Sequence, residues 1–311
     1  MMDLDNQKIY VAGHNGMVGR AICRRLESED VDILTIDRSK LDLTNQMDVN
    51  TWMMKTRPDM VFMCAARVGG IVDNRDNPAE FIYQNLMIQT NIIHAAYQAG
   101  VKKLLFLGSS CIYPRECPQP INENCLMTGA LEPTNAAYAT AKIAGIEMCK
   151  SYRRQYGCDF ISAMPCNLYG PYDHFDPETA HVPAALMQRF HEAKTKNFDQ
   201  VTIWGSGTPK REFMHVDDLA DAAVFLMKNY SDSVPINVGS GNDISIQGFA
   251  QKISNVVGYD GKIENDLSRP DGTMRKVMDV SKINALGWNA EISLDDGLRT
   301  YYQWYQETFK S

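Results

Sequence analysis

Two short stretches hold side chains whose types and spacing suit one another chemically. In "YATAK" Tyr138 and Lys142 stand four residues apart; on a helix that spacing puts both on one face, roughly 6 Å apart at Cβ. In "GSSCIYP" (108–114) Ser109 and Cys111 follow an apolar run at 102–107. A free tyrosine titrates near 10, so lowering it by about 3 units requires roughly 4 kcal/mol of preference for the phenolate. A neighbouring Lys142 ammonium acts in that direction. Such a phenol can protonate a carbonyl oxygen held by Ser109 while hydride reaches the carbon. Cys111 has no part in that step, and on its own it reads as a core thiol.

These side chains need a scaffold, and the sequence supplies one. Apolar runs at 8–12, 31–36, 60–65, 102–107 and 160–164 alternate with helical patterns at 18–26, 79–99 and 136–154. Near-continuous apolar strands between helices indicate an α/β fold, a doubly wound parallel sheet covered on both faces. "GHNGMVG" sets Gly13, Gly16 and Gly19 between the first strand and the first helix. Glycines there let the backbone approach a pyrophosphate, which the N–H groups of the helix N-terminus receive. Asp37, 18 positions beyond Gly19, lies at the next strand end, where a carboxylate can hold ribose hydroxyls and the adjacent Arg38 a 2′-phosphate. The motif therefore calls for a dinucleotide, with NADP(H) favoured.

After "NLYGP" (167–171) the chain turns polar and irregular, as a domain crossover would. Pro183 suits the first position of a helix reaching about Ala193. A short strand and Gly-rich loop follow at 201–213, then a helix at 215–229, a strand at 236 that rejoins the main sheet, and helices at 245–257 and 294–308. The expected division is 1–171 with 212–241 for the dinucleotide, and 172–211 with 242–311 as a smaller, discontinuous substrate domain.

Composition narrows the classes. The 311 residues carry a net charge of −7, which argues against broad affinity for nucleic acid or an anionic membrane. No run approaches the length of a membrane span, and the eight cysteines include no C-x-x-C pair. A cytoplasmic enzyme without a metal site is expected. An acidic protein that binds a nucleotide diphosphate must gather positive charge locally, and Arg189, Lys210, Arg211, Arg275 and Lys276 are the candidates.

Taken together, "GHNGMVG", "ARVGGI", "FLGSSCIYP", "EPTNAAYATAKIAG", "PCNLYGP", "WGSGTPKREFMHVDDLA" and "RPDGTMRKVMDV" resemble the extended short-chain dehydrogenase/reductase family. The resemblance spans nearly the whole chain and is strongest to members that epimerise and reduce GDP-linked 4-keto-6-deoxy sugars. It implies a Ser109–Tyr138–Lys142 triad, with Lys142 also on the nicotinamide ribose. It implies cofactor contacts from Gly13, Asn15, Gly16, Met17, Val18, Gly19, Asp37 and Arg38. Further contacts would come from Leu107, Gly108, Ser109, Ser110, Pro165, Asn167, Leu168 and His181. Arg189, Trp204, Arg211 and Asp271 would meet the nucleotide sugar. The family's 4-ketosugar also gives Cys111 a purpose: inversion at C3 and C5 needs a base on one face and an acid on the other, roles that fall to Cys111 and His181. The remaining histidines (14, 94, 174, 191 and 215), Cys117 and Cys125 are read as structural or incidental.

Members commonly carry Arg where Asn15 stands and Lys where Arg67 stands. The family further implies a homodimer through the helices that include 79–99 and 136–154. A 4-epimerase or 4,6-dehydratase on the same fold would regenerate its cofactor, so net NADPH consumption separates those alternatives; a non-catalytic NADP sensor would have no need of the Tyr–Lys pair.

Overall fold

A computed structural model describes residues 2–176, 179–269 and 271–309. The chain opens with β1 (Lys8–Ala12), α1 (Met17–Leu26), β2 (Asp32–Leu34), α2 (Gln46–Thr56) and β3 (Met60–Met63). The short α3 (Ile71–Asp76) and long α4 (Pro78–Ala99) precede β4 (Lys103–Leu107), α5 (Ala136–Tyr156) and β5 (Asp159–Pro165). Then come β6 (Asn167–Tyr169), α6 (Val182–Thr195), β7 (Gln200–Trp204), β8 (Lys210–His215), α7 (Val216–Asn229) and β9 (Ile236–Val238). The C-terminal part holds β10 (Asp243–Ser245), α8 (Ile246–Val257), β11 (Lys262–Asp266), β12 (Arg275–Lys276), α9 (Ser281–Ala285) and α10 (Leu294–Thr308).

Among the described residues the main sheet is six-stranded, in the order β2-β1-β3-β4-β5-β9, and every pairing is parallel. This is the doubly wound sheet that the apolar runs require, and β9 rejoins it as expected. β1, β3 and β4 are buried almost throughout, each fully buried large apolar side chain contributing roughly 1.5–3 kcal/mol. The chain leaves β1 toward β2 on one side and returns to β3 on the other. That reversal opens a crevice at the carboxyl ends of β1 and β3, where ligands of such sheets bind.

α5 is seated closely on this sheet. A Cβ at Gly145 would stand 2.4 Å from Phe106 Cζ, so glycine there lets the helix lie flat on β4. Gln89 Nε2 on α4 donates to the Ala141 carbonyl at 2.6 Å inside the buried interface. Both contacts lie within a turn of Lys142 and fix where α5 presents its active face.

The second unit is smaller. β8 pairs with β6, β10 and β12, and β7 pairs with β11. Its core joins Phe190, Phe213, Phe249, Tyr301 and Tyr305, with the Phe213 and Phe249 rings stacked at 4.0 Å. Ser245 and Ser293 cap α8 and α10 through their hydroxyls.

Several details differ from the sequence reading. The 31–36 run is strand only at Asp32–Leu34. The segment 46–56, which carries little apolar patterning, is a helix capped by the Asn45 side chain. The stretch 201–213 holds β7 and most of β8 instead of one strand and a loop. The 211/212 division therefore falls inside β8, and Met278, Ile283 and Trp288 pack into the core of the main sheet. Helix α6 starts at Val182, so Pro183 is its second residue.

Candidate active site

The cradle is built by backbone geometry. Gly13 has φ +85, and a Cβ on it would stand 2.7 Å from Ala65 N just past β3. A Cβ on Gly19 would stand 2.2 Å from the Gly13 carbonyl oxygen. Gly16 is the N-cap of α1 and offers no side chain to its first N–H groups, while a Cβ there would meet only ordinary contact at 3.5 Å. Steric need inside the protein thus explains Gly13 and Gly19, whereas Gly16 leaves open helix N–H donors facing the crevice. An anionic pyrophosphate fits such a terminus, with Met17 and Val18 in its first turn. At the far end of the crevice Gly108 N donates to Ala163 O (2.8 Å), and Asn167 Nδ2 donates to Glu212 O (2.8 Å). These bonds hold the Leu107–Ser110 and Pro165–Leu168 segments at the carboxyl edges of β4 and β5.

The sequence-predicted catalytic groups largely converge. Lys142, 4% exposed, donates from Nζ to the Leu107 carbonyl at 2.8 Å and lies 5.9 Å from the Tyr138 ring centre. Burial pushes its ammonium down to about 8. Desolvation pushes the Tyr138 phenol up, a Cys111 charge would raise it further, and a hydrogen bond with the Ser109 side chain opposes both. The lowering expected from the sequence is therefore not produced by the polypeptide alone. Lys142 is turned onto a carbonyl and is itself desolvated, so burial outweighs its charge.

Ser109 Oγ also accepts from Cys111 N at 3.2 Å, which fixes the two side chains on one 3₁₀ turn, Ser110–Ile112. Arg211 stands close enough to Cys111 for the two to interact electrostatically, and burial holds the guanidinium below its usual value. Ser109, Cys111, Tyr138, Lys142 and Arg211 thus form one cluster at the C-terminal edge of β4.

His181 is positioned separately. It is the N-cap of α6, yet its ring makes no capping bond. Exposed at the surface, the imidazole still loses enough solvent to sit below its ordinary value, and His174 repels its charge further. The segment ahead of it is tied down by the Gly70 N to Thr179 O bond of 2.9 Å. Through that bond it adjoins α3, which packs on the 133–135 turn ahead of Tyr138. No contact joins the His181 ring to the five-residue cluster among the described residues.

The substrate side is more open. Trp204 is 50% exposed and has two guanidinium groups near its ring, Arg189 at 5.5 Å and Arg269 at 4.8 Å from the ring centre. Asp271 accepts from Ser206 N (2.9 Å) and Ser206 Oγ (2.7 Å), which makes it a pin for the 204–208 loop. Arg275 is paired with Asp243, whereas Lys210 is exposed. Buried Glu212 accepts from Met278 N and Gly241 N at 2.8 and 2.7 Å, tying the strand that carries Arg211 to segments beside the main sheet.

Residues 9–239 match the NAD dependent epimerase/dehydratase family. The chain belongs to that family. It is 52% identical to the GDP-L-fucose synthase of Escherichia coli (strain K12), over 98% of each chain. It is 54% identical to GDP-L-fucose synthase 1 of Arabidopsis thaliana, covering 96% of this chain and 93% of the other. Its fold superposes on a GDP-L-fucose synthetase from Naegleria fowleri bound to NADP with a TM-score of 0.92, at 27% identity over 100% of this chain and 97% of that one.

Within this epimerase/dehydratase frame, two features escaped the sequence reading. Arg269 flanks Trp204 from a polar loop that carries no periodic signal. Ser206, the partner of Asp271, is 65 residues away from it in the chain. His94, His191 and His215 bond Tyr152, Tyr302 and Asp217 N respectively, structural roles as expected. His14 lies 3.5 Å from Asp37 beside the cradle. No helix is long and apolar enough to cross a membrane among the described residues.

Proposed function

We propose that the chain converts GDP-4-keto-6-deoxy-D-mannose to GDP-L-fucose, by epimerisation at C3 and C5 and reduction at C4 with NADPH. The observation that carries this reading is the placement of Cys111 on the same turn as Ser109, within electrostatic reach of Tyr138 and Arg211. A simple reductase or dehydratase has no use for a thiol beside the group that holds its ketone. Here Cys111, acting as the base, removes the proton next to the ketone, and the electron pair moves onto the C4 oxygen as an enolate. Protonated His181, made a stronger acid by its desolvation, returns a proton to carbon from the opposite face. Ser109 holds the C4 oxygen throughout. The Gly13–Gly19 cradle would hold NADPH, whose chemistry there would be hydride donation to C4. Tyr138 then gives its proton to that oxygen, and Lys142 favours the resulting phenolate.

Arg189, Trp204 and Arg269 bind the nucleotide end, with Arg211 nearest the sugar; Asp271 serves by holding the loop beneath Trp204. The protein works as a cytoplasmic homodimer through α4 and α5, whose outer faces leave Tyr83 and Tyr156 exposed, and it has neither nucleic-acid nor membrane partners.

The test is turnover of the ketosugar in D₂O with NADPH and product identification. Deuterium should enter at C3 and C5 while C4 takes its hydrogen from NADPH. Cys111→Ala should suppress the wash-in by about 10²- to 10⁴-fold. Wild-type exchange in that variant would remove the thiol from the mechanism.

A further inference from the structure

Asp37 follows β2, at the edge of the crevice where a bound dinucleotide places its adenosine ribose. Its side chain is 54% exposed, and its Oδ1 accepts from Asn15 Nδ2 at 2.8 Å. His14 Nε2 lies 3.5 Å from the same oxygen. Above all the Asn15 bond holds this carboxyl below its usual value, so it is ionised at neutral pH. Because Asn15 lies between Gly13 and Gly16, the bond ties the carboxylate directly to the phosphate cradle. An ionised carboxylate only accepts hydrogen bonds. It therefore suits a free 2′,3′-diol and repels a 2′-phosphate.

The nearby cations offset this only in part. Arg24 is paired with Asp217 at 2.5 Å. Arg20 lies 4.4 Å from the Tyr172 ring centre and donates from Nε to Asn15 O at 3.1 Å. Both line a pocket of 360 Å³ with His14, Asn15, Thr35 and Tyr172. Arg38 is exposed beside Asp37 and lends part of its field to Asp42. One residue that favours a free diol thus stands next to one that favours a phosphate.

We propose that this chain binds NADH nearly as well as NADPH, and that the Asn15-held Asp37 carboxylate is the residue that removes the discrimination. The proposal rests on the reading of the glycine loop as a dinucleotide site and specifies its ligand further. Binding is measured on the purified full chain by the fluorescence of the reduced nicotinamide, without substrate. Dissociation constants for NADH and NADPH should agree within about tenfold. Asp37→Asn should shift the ratio toward NADPH by roughly tenfold, whereas Arg38→Ala should shift it toward NADH by roughly 10- to 100-fold. Thermal melts of these surface variants check that each is folded. A wild-type preference for NADPH above about 100-fold, or an unmoved ratio in Asp37→Asn, overturns the proposal alone. Failure of both dinucleotides to bind overturns it together with the dinucleotide reading.

Discussion

The two units are held together by different means. Around the main sheet, position follows from burial: Gly13, Gly19 and Gly145 admit no side chain, and Lys142 is enclosed among apolar neighbours. Around Trp204, position follows from polar pins at the surface, chiefly Asp271 on Ser206 and Arg275 on Asp243. The first unit presents preset chemistry with little freedom. The second presents exposed aromatic and cationic groups on loops that are held at a few points. Substitutions in the first should alter rate constants or global stability, and those in the second should alter apparent affinity.

The largest effect tests the first half of that contrast. Tyr138→Phe should lower the rate of C4 reduction by about 10²- to 10⁴-fold with NADPH binding nearly intact, as read by single-turnover kinetics and a binding titration. A variant that still reduces at the normal rate would remove the phenol from the chemistry.

A smaller effect separates stability from activity within the same unit. Lys142 falls from 10.5 to about 8 on folding, so the native state binds its proton less tightly than the unfolded chain. The ammonium then costs on the order of 3 kcal/mol below pH 8, and that cost disappears as pH rises from about 8 to 10.5. Lys142→Met should therefore raise stability in denaturant titrations at pH 7, lose most of the advantage near pH 10, and abolish reduction. Equal or lower stability at pH 7 would mean that the Leu107 bond outweighs desolvation.

The smallest effect belongs to the second unit. Asp271→Ala frees the 204–208 loop and should raise KM for the nucleotide sugar by roughly 10-fold, the loss expected for hydrogen bonds to a charged group, while kcat changes little. A fall in kcat with unchanged KM would place Asp271 in the chemistry and erase the distinction between the two units.

The same contrast governs how much could be read beforehand. The glycine spacing, the apolar strands and the Tyr138–Lys142 interval are local signals, and each appears in the structure where the sequence puts it, although β2 and β3 are shorter than their apolar runs. Helix α2 was harder to see because its buried contacts come from Val49 and Met53 within a mostly polar segment. Strand β8 begins with Lys210 and Arg211, residues that suggest a loop; it is a strand because β6, β10 and β12 pair with it, and strand preference depends on such neighbours. The direction of the Tyr138 shift was not legible either, since it depends on solvent lost when α5 closes on β4.

By itself the sequence determined the parallel sheet, the glycine cradle and the chemical types of the candidate site groups, because these rest on short-range spacing and on the burial of continuous apolar runs. Only the tertiary structure decided that Arg211 stands by Cys111, that Asp271 holds Ser206, that Arg269 covers Trp204, and that Asn15 fixes Asp37. Each of these joins polar side chains distant in the chain, across 22 to 65 residues in the two that are direct side-chain hydrogen bonds. Their energies depend on distance and solvent exposure, quantities that have no value until the chain has folded.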